Sequence, residues 1–341
     1  MPNILERILC CKTLSGCATG WIGIDFGSTA IKIVQIRRRR NQFECLQDTW
    51  IETPMLDEKC NLPFNTVEDS LPRAALVTSM RWIELEFEPS NLPSAGGVQE
   101  SLQRQWASGI AYLIPTTASQ QHIQPKRLKI APGLAHWLGH QLITSGLEPR
   151  VIDAPPWTLS RAITLIEGKS SARATAILDW SADAPLLVVQ YNGLPQFTRV
   201  LQTGGLSQLT EKIQARLNLS LSATMHYLRR VSSTADTATI AADPNGKRQI
   251  DWTQALLAPI VNQLAEEITR SLHFLKWQCQ DLLPHKLYLA GGAATIPFLV
   301  EELKNHLEIP VEPWRMTTVD GHELGPASAQ AAALSALEWL S

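Results

Sequence analysis

The segment from Trp21 to Ile36 constrains the fold of this chain more than any other part of the sequence. Its apolar positions are mostly β-branched, and a turn of Gly27, Ser28 and Thr29 interrupts them in the middle. The segment therefore predicts a strand, a tight turn and a returning strand.

The residues of this hairpin are suited to bind phosphate. Glycine lets backbone N–H groups approach a phosphate closely, and the hydroxyls of Ser28 and Thr29 add donors. Asp25 would hold a hydrated Mg²⁺, because magnesium keeps several waters and takes few protein carboxylates. Lys32, on the returning strand, would bring its ammonium group to the phosphates. The alternative is an ordinary hairpin whose aspartate caps a turn.

A second glycine turn joins a predicted strand at 286–290 to a predicted helix at 296–307. Gly291, Gly292 and Ala293 would let a base or a sugar lie against bare backbone at the N-terminus of that helix. A tight strand-to-helix connection that needs positive φ angles is the alternative. Because the two turns stand in matching halves of the chain, we interpret them together as a nucleotide site.

The two halves resemble each other in outline. A strand that ends at Asp179 precedes a hairpin with Asn192 and Gly193 at its turn, as Asp25 precedes the first hairpin. Such a repeat indicates a duplicated α/β domain and makes a cleft between the halves the expected ligand site.

Composition excludes several classes of protein. The chain has 341 residues, of which 45% are hydrophobic, and a net charge of -2, so a large core is expected and a nucleic-acid partner is not. Six cysteines are too few for a disulfide scaffold, and Cys10, Cys11 and Cys17 lack a recognisable fourth zinc ligand. No segment is typical of a transmembrane helix, and residues 1–20 predict a short amphipathic segment.

These motifs carry a family resemblance. Residues 25–32, the hairpin after Asp179 and residues 290–297 resemble the phosphate-one, phosphate-two and adenosine elements of the actin, Hsp70, sugar-kinase and FtsA superfamily. Within it, residues 75–85, residues 145–153 and the pair Gly204 and Gly205 are similar, in the same order, to the type IV pilus assembly protein PilM family, which includes HofM-type proteins. The resemblance implies an α/β, actin-like (ribonuclease H-like) fold of duplicated domains with an inserted small α/β subdomain.

The resemblance also implies domain boundaries. Residues 1–20 form the amphipathic segment, residues 21–53 with 148–173 the first actin-like lobe, and residues 54–147 the inserted subdomain. Residues 174–341 form the second lobe, with a helical subdomain at about 205–285.

The function that the resemblance implies is a cytoplasmic platform, peripheral at the inner membrane, for assembly of a type IV pilus or a related competence or secretion machine. Its expected partners are the N-terminal cytoplasmic tail of a PilN-like inner-membrane protein and other inner-membrane components of the pilus, with membrane association through the partner. The tail would lie in a groove near Ile83, Leu85 and Phe87. The expected cofactor is ATP with Mg²⁺. Asp25 and Asp179 would lie near the metal and contact it through water. The residues expected to hold the cofactor are Asp25, Gly27, Ser28, Thr29, Lys32, Asp179, Gly204, Gly205, Gly291, Gly292 and Ala293.

The sequence departs from the superfamily pattern at two places. Trp180 and Ser181 stand where the second phosphate element ordinarily has a glycine turn, and the helix at 220–230 lacks the acidic residue that contacts the nucleoside. We therefore expect degenerate ATP binding, no catalytic residue and no appreciable hydrolysis. Asp153 is a candidate to orient a water or, alternatively, to cap the turn before Pro155.

Three questions stay open at this point. A small-molecule, sugar-type kinase of the same superfamily is the alternative function, and a filament-forming relative similar to FtsA is a third. The run from Arg37 to Arg40 predicts a solvated turn or a docking site for anionic lipid.

Overall fold

The computed structural model describes residues 17–40, 42–52, 72–78, 83–87, 125–130, 132–168, 173–232 and 244–340. The predicted amphipathic segment before Cys17, with Cys10 and Cys11, lies outside these residues. Within the described residues, no helix is long and apolar enough to cross a membrane.

The strands and helices are numbered in chain order. The strands are β1 (Cys17–Thr19), β2 (Ile22–Phe26), β3 (Ala30–Arg39), β4 (Gln42–Glu52), β5 (Arg73–Thr78), β6 (Ile83–Phe87), β7 (Pro125–Ile130), β8 (Glu148–Asp153), β9 (Thr175–Asp179), β10 (Leu186–Tyr191), β11 (Leu194–Val200), β12 (Leu287–Ala290), β13 (Val311–Pro313), β14 (Met316–Thr317) and β15 (Glu323–Leu324). The helices are α1 (Pro132–Thr144), α2 (Pro155–Glu167), α3 (Leu206–Leu217), α4 (Leu221–Ser232), α5 (Pro244–Gln278), α6 (Pro297–His306), α7 (Ala329–Ser335) and α8 (Leu337–Leu340).

The chain divides into two compact units. Among the described residues, the first unit holds those from 17 to 168 together with 315–340, and the second holds 173–314. The central sheet of the first unit runs β1-β3-β2-β5-β8, and β4 pairs with β3. The sheet of the second unit runs β11-β10-β9-β12-β13.

The two sheets repeat one topology. In the first unit β2 and β3 are antiparallel, β3 and β4 are antiparallel, and β2, β5 and β8 run parallel. The second unit repeats this order with β9 in place of β2, β10 and β11 on its antiparallel side, and β12 and β13 on its parallel side. The predicted internal duplication is therefore confirmed, and Asp25 and Asp179 end equivalent strands.

The core of the first unit has two faces. On one face, side chains of β2 and β3 such as Ile24 and Ile33 pack against Leu138 and Leu142 of α1. On the other face, the alanine-rich helix α7 lies very close to β2, and a Cβ on Gly23 would collide with the backbone of Ala331. Small residues on both elements permit this approach.

Two features differ from the boundaries expected from sequence. The last residues, 315–340, pack with the first unit, because α7 covers its sheet, rather than with a second lobe of 174–341. Strand β5 lies between β2 and β8 in the central sheet, although the range given to the inserted subdomain, 54–147, includes it. Between β5 and α1, the described residues form a separate two-stranded sheet of β6 and β7.

Two helices also differ from expectation. The helical subdomain expected at about 205–285 begins with two helices, α3 and α4, because Asn218 adopts a left-handed conformation (φ 52°) and ends α3. Sequence patterns did not single out α2, which begins with Pro155 and Pro156. Proline is well accommodated in the first turn of a helix, where its missing N–H has no intrahelical partner to lose.

Candidate functional site

The predicted phosphate hairpin is present in the first unit. β2 and β3 are antiparallel, and the N–H of Gly27 donates to the carbonyl oxygen of Ala30 at 3.1 Å to close the turn. Ser28 is exposed and Thr29 is half-buried. A Cβ on Gly27 would lie 2.8 Å from Lys32 Nζ, so glycine leaves room for the ammonium group directly beneath the turn.

Asp25 and Lys32 face each other across this hairpin. They are partners in the β2–β3 register, and Lys32 Nζ lies 2.9 Å from Asp25 Oδ2. Only 9% of the Asp25 side chain and 11% of the Lys32 side chain are exposed. Each side chain neutralises the charge of the other. Because of this pairing, both charged groups can lie largely buried.

Asp153 has structural partners at the end of β8. Its carboxylate forms an ion pair with Arg161 of α2, accepts a hydrogen bond from the Ala154 N–H at 2.8 Å, and accepts another from the Thr158 hydroxyl at 3.1 Å. Burial lowers the pKa of the Arg161 guanidinium to about 10. These contacts support the turn-capping alternative for Asp153.

Trp180 occupies the second phosphate element. Its side chain is fully buried in the core of the second unit, and its indole Nε1 donates to the carbonyl oxygen of Gly204. Its backbone N–H donates to the Ala290 carbonyl at 2.8 Å, and its carbonyl accepts from the Ala293 N–H at 3.1 Å. Trp180 thus hydrogen-bonds the end of β9 both to the glycine pair before α3 and to the glycine turn after β12.

The loop after Trp180 is closed onto the start of α3. The Leu206 N–H donates to the Ser181 carbonyl at 3.0 Å, and the Ser207 N–H donates to the Ala182 carbonyl at 2.9 Å. A Cβ on Gly205 would collide with the backbone of Ala182 and Asp183. The first N–H groups of α3, which in other proteins serve as an anion site, are therefore used within the chain.

Gly291 is required by packing within the second unit. It has φ +87°, and a Cβ there would lie 2.5 Å from Asp179 Oδ1 and 2.7 Å from the Trp180 carbonyl oxygen. The space beside this glycine is filled by the protein. Gly292 is less constrained, since its added Cβ would lie 3.2 Å from Leu206 Cδ2.

Glu267 of α5 fixes the segment that leads to Gly204. The buried carboxylate accepts hydrogen bonds from the Gln202 N–H at 3.1 Å, the Thr203 N–H at 3.1 Å and the Thr203 hydroxyl at 2.6 Å. Sequence patterns missed this residue, which gives no local signal because its partners are 64 and 65 residues away. The sequence marked Trp180 and Ser181 as the place where a glycine turn is missing, but it did not predict the hydrogen bond from Trp180 to Gly204.

The predicted site residues therefore fall into three groups. Asp25, Gly27, Ser28, Thr29 and Lys32 form the hairpin of the first unit. The second unit brings together Asp179, Gly204, Gly205, Gly291, Gly292 and Ala293. Ile83, Leu85 and Phe87 lie on β6, opposite Ile130, Leu128 and Pro125 of β7. Among the described side chains, no group of three or more His, Cys, Asp or Glu is placed to hold a metal ion.

The first group fits phosphate and the second does not. In the hairpin an ammonium group lies beneath a glycine turn with an exposed serine, which suits an anionic ligand. In the second group, backbone N–H groups and glycine spaces that would meet phosphates are occupied by the chain.

Comparisons with known proteins agree with this architecture. The family model described as type IV pilus assembly protein PilM matches residues 139–321, just over half of the chain. A solved PilM-PilN type IV pilus biogenesis complex is similar in structure, with a TM-score of 0.62 and 20% identity over 94% of this chain and 99% of that chain. The ethanolamine utilization protein EutJ from Carboxydothermus hydrogenoformans has a TM-score of 0.50 and 13% identity over 97% of this chain and 94% of that chain. These likenesses and the duplicated sheets establish an actin-like α/β fold.

Proposed function

The chain belongs to the family of the type IV pilus assembly protein PilM, and from this membership we propose that it is a docking platform for the N-terminal tail of a PilN-like inner-membrane protein. The observation that carries the proposal is the family match over 139–321, which spans both units. The similar solved structure is a PilM-PilN complex, which supports a partner of this type. Through such a partner the chain would act at the cytoplasmic face of the inner membrane, together with other assembly components.

We place the tail beside β6. In the described residues β6 is hydrogen-bonded to β7 alone, and a two-stranded sheet is marginally stable by itself. An extended peptide gains affinity by adding main-chain hydrogen bonds along such a strand edge, while pockets for alternate side chains give specificity. Ile83, Leu85 and Phe87 are alternate residues of β6 and are the proposed contacts.

Hydrogen exchange tests this location. Adding a synthetic tail of the PilN-like partner should slow exchange of backbone amides in 83–87, and a scrambled peptide of the same composition should not. A Leu85→Asp variant should lose the protection and keep the thermal unfolding temperature of the wild type. Protection elsewhere, with none at β6, would refute the proposed location.

We propose that Mg-ATP binds weakly to this chain through one half of the superfamily's site. The residues of that half are Gly27, Ser28, Thr29 and Lys32, with Asp25 near the metal through water. The bound phosphates would share the Lys32 ammonium with Asp25, which pairs with it at 2.9 Å. The second phosphate element adds little, because its N–H groups already have partners in the chain.

Calorimetry with Mg-ATP tests this part of the proposal. Wild-type protein should bind with low affinity, and Lys32→Met should abolish the binding heat. The matched control is Lys304→Met, which removes a half-buried lysine paired with Glu301 at 2.7 Å. Tight binding that survives Lys32→Met would contradict a site at the hairpin.

The arrangement of Asp153 argues against a sugar-type kinase. Such an enzyme needs a carboxylate available to accept a proton from the attacking hydroxyl. Both oxygens of Asp153 already have partners, and one partner is a buried arginine. ATP-dependent phosphorylation of a sugar or an alcohol would overturn the platform proposal, whereas its absence with tail binding supports it.

A further inference from the structure

Three arginines close the hairpin between β3 and β4. Arg38, Arg39 and Arg40, here called the arginine turn, follow the buried Arg37. Arg40 is exposed with φ 56°, and 48% of the Arg39 side chain is exposed. Glu44 is shared: its Oε2 lies 3.2 Å from Arg39 Nε and 3.5 Å from Arg37 Nη1. Glu44 is thus shared by two of the four consecutive arginines.

Apolar and aromatic side chains adjoin the arginine turn. Phe43 lies opposite Arg38 in the register, and its ring stacks on Trp339 with centroids 6.0 Å apart. The Val319 N–H donates to the Phe43 carbonyl at 2.8 Å, and 51% of Val319 is exposed. Asp320 follows Val319 in the chain, and Glu338, which precedes Trp339, pairs with Arg73 at 2.8 Å. Basic side chains beside a tryptophan and an exposed aliphatic group are typical of contacts with a membrane interface.

The register of β1 brings a second segment to this place. Cys17 pairs with Arg39 of the arginine turn. Residues 1–16, which precede Cys17 in the sequence, lie outside the described part of the chain. Their sequence has apolar residues at Ile4, Leu5, Ile8 and Leu9 in helical spacing, with Arg7 and Lys12 among them. A short basic cluster holds a membrane stably when an apolar segment accompanies it.

We propose that the arginine turn, with Phe43, Val319 and Trp339, binds anionic phospholipid directly, without a protein partner. Guanidinium groups stay charged at every physiological pH and donate several hydrogen bonds to phosphate. The adjoining apolar side chains favour a lipid surface over a soluble acidic protein, which would offer no apolar contact to the exposed Val319. This contact goes beyond the proposed docking of a tail and adds a second attachment at the same membrane.

Vesicle flotation with the full chain tests the proposal. Wild-type protein should float with vesicles of phosphatidylcholine and phosphatidylglycerol and stay unbound with phosphatidylcholine alone. Each basic residue near an anionic surface contributes a roughly fivefold gain in partitioning, so R38Q/R39Q/R40Q should bind roughly 100-fold more weakly. Added salt should weaken wild-type binding as well.

The control is a variant with the same loss of charge elsewhere. R150Q/K212Q/R216Q removes three basic side chains from exposed positions and should float like the wild type. Tail binding measured on R38Q/R39Q/R40Q should match the wild type, which shows that the variant folds and separates this surface from the docking site. Equal flotation with neutral and anionic vesicles, equal flotation of the two triple variants, or binding to soluble polyglutamate in place of vesicles would each overturn the proposal.

Discussion

The indole Nε1 of Trp180 donates a hydrogen bond to the carbonyl oxygen of Gly204 within the second unit. Trp180 follows the strand-terminal Asp179, and Gly204 lies two residues before α3. The bond connects the end of β9 to the segment before α3, at the place where the sequence predicts the second phosphate element. The stability of the second unit therefore depends on this position.

Replacing Trp180 tests how much its hydrogen bond to Gly204 stabilises the second unit. Trp180→Phe keeps an aromatic ring but removes the N–H donor, so the buried Gly204 carbonyl loses its partner. We expect a loss of about 1–3 kcal/mol in the free energy of unfolding, measured by urea denaturation. Trp277→Phe is the control, because 84% of Trp277 is exposed and the change there should stay within about 0.5 kcal/mol. Equal effects of the two variants would contradict the assignment.

Gly291→Ala separates backbone strain from packing. Gly291 and Gly321 both have positive φ, +87° and +79°, but an added Cβ meets Asp179 and Trp180 only at Gly291 and has nothing within 4 Å at Gly321. Gly321→Ala should cost about 1–2 kcal/mol for the left-handed conformation alone. Gly291→Ala should cost at least about 2 kcal/mol more, since overpacking adds to the strain. Thermal unfolding of both variants measures the difference in stability loss. Equal losses would show that the turn at Gly291 can accommodate an added Cβ.

Asp153→Ala tests the structural role of the carboxylate at the end of β8. Its removal leaves the Arg161 guanidinium, of which 12% is exposed, without its counter-charge. We expect a loss of about 3–5 kcal/mol. Glu148→Ala removes the partner of Arg150 from an exposed pair at 2.7 Å and should cost less than about 1 kcal/mol. An Asp153→Ala protein as stable as the wild type would contradict the structural role of Asp153.

The Cys45 thiol gives a prediction for pH dependence. Burial, with Asp48 and Asp320 nearby, raises the pKa of Cys45 to about 12, whereas an unfolded cysteine titrates near about 8.5. A raised pKa means that the folded state retains the proton. This contribution to stability is complete below about 8.5 and is lost as the pH rises towards 12.

Alkylation followed by peptide mapping measures this shift. At pH 9, iodoacetamide should modify Cys45 on the order of 100-fold or more slowly in the folded chain than in urea, because the thiolate is the nucleophile. Asp48→Asn should speed the folded-state reaction by removing a neighbouring negative charge. Equal rates in folded and unfolded protein would refute the raised pKa.

Local sequence patterns predicted the hairpins well. The β-branched run around Asp25 and the Asn192-Gly193 turn each specify their structure within a few residues, and Asn192 and Gly193 have the positive φ angles (54° and 76°) that such a turn requires. The place of the C-terminal alanine-rich helix was not predictable in this way. Helix α7 covers the first sheet because its alanines fit against Gly23, which is some 300 residues away in the chain.

At the candidate site, too, local features were predictable from the sequence and long-range contacts were not. Sequence indicated that Trp180 and Ser181 depart from the second phosphate element, since the Cβ of Ser181 limits the φ angle and the approach of a ligand where a glycine is expected. It did not indicate that the indole would bond to Gly204 or that Glu267 would fix the preceding turn. Both contacts join segments that are distant in the chain, so no local sequence pattern predicts them.

Calorimetric titration of the full chain with the synthetic cytoplasmic tail of a PilN-like protein tests the central claim most directly. Saturable, stoichiometric binding of the tail, with no phosphate released from Mg-ATP in the same cell, is the result that a docking platform predicts. Absence of tail binding, together with steady ATP turnover, would contradict it.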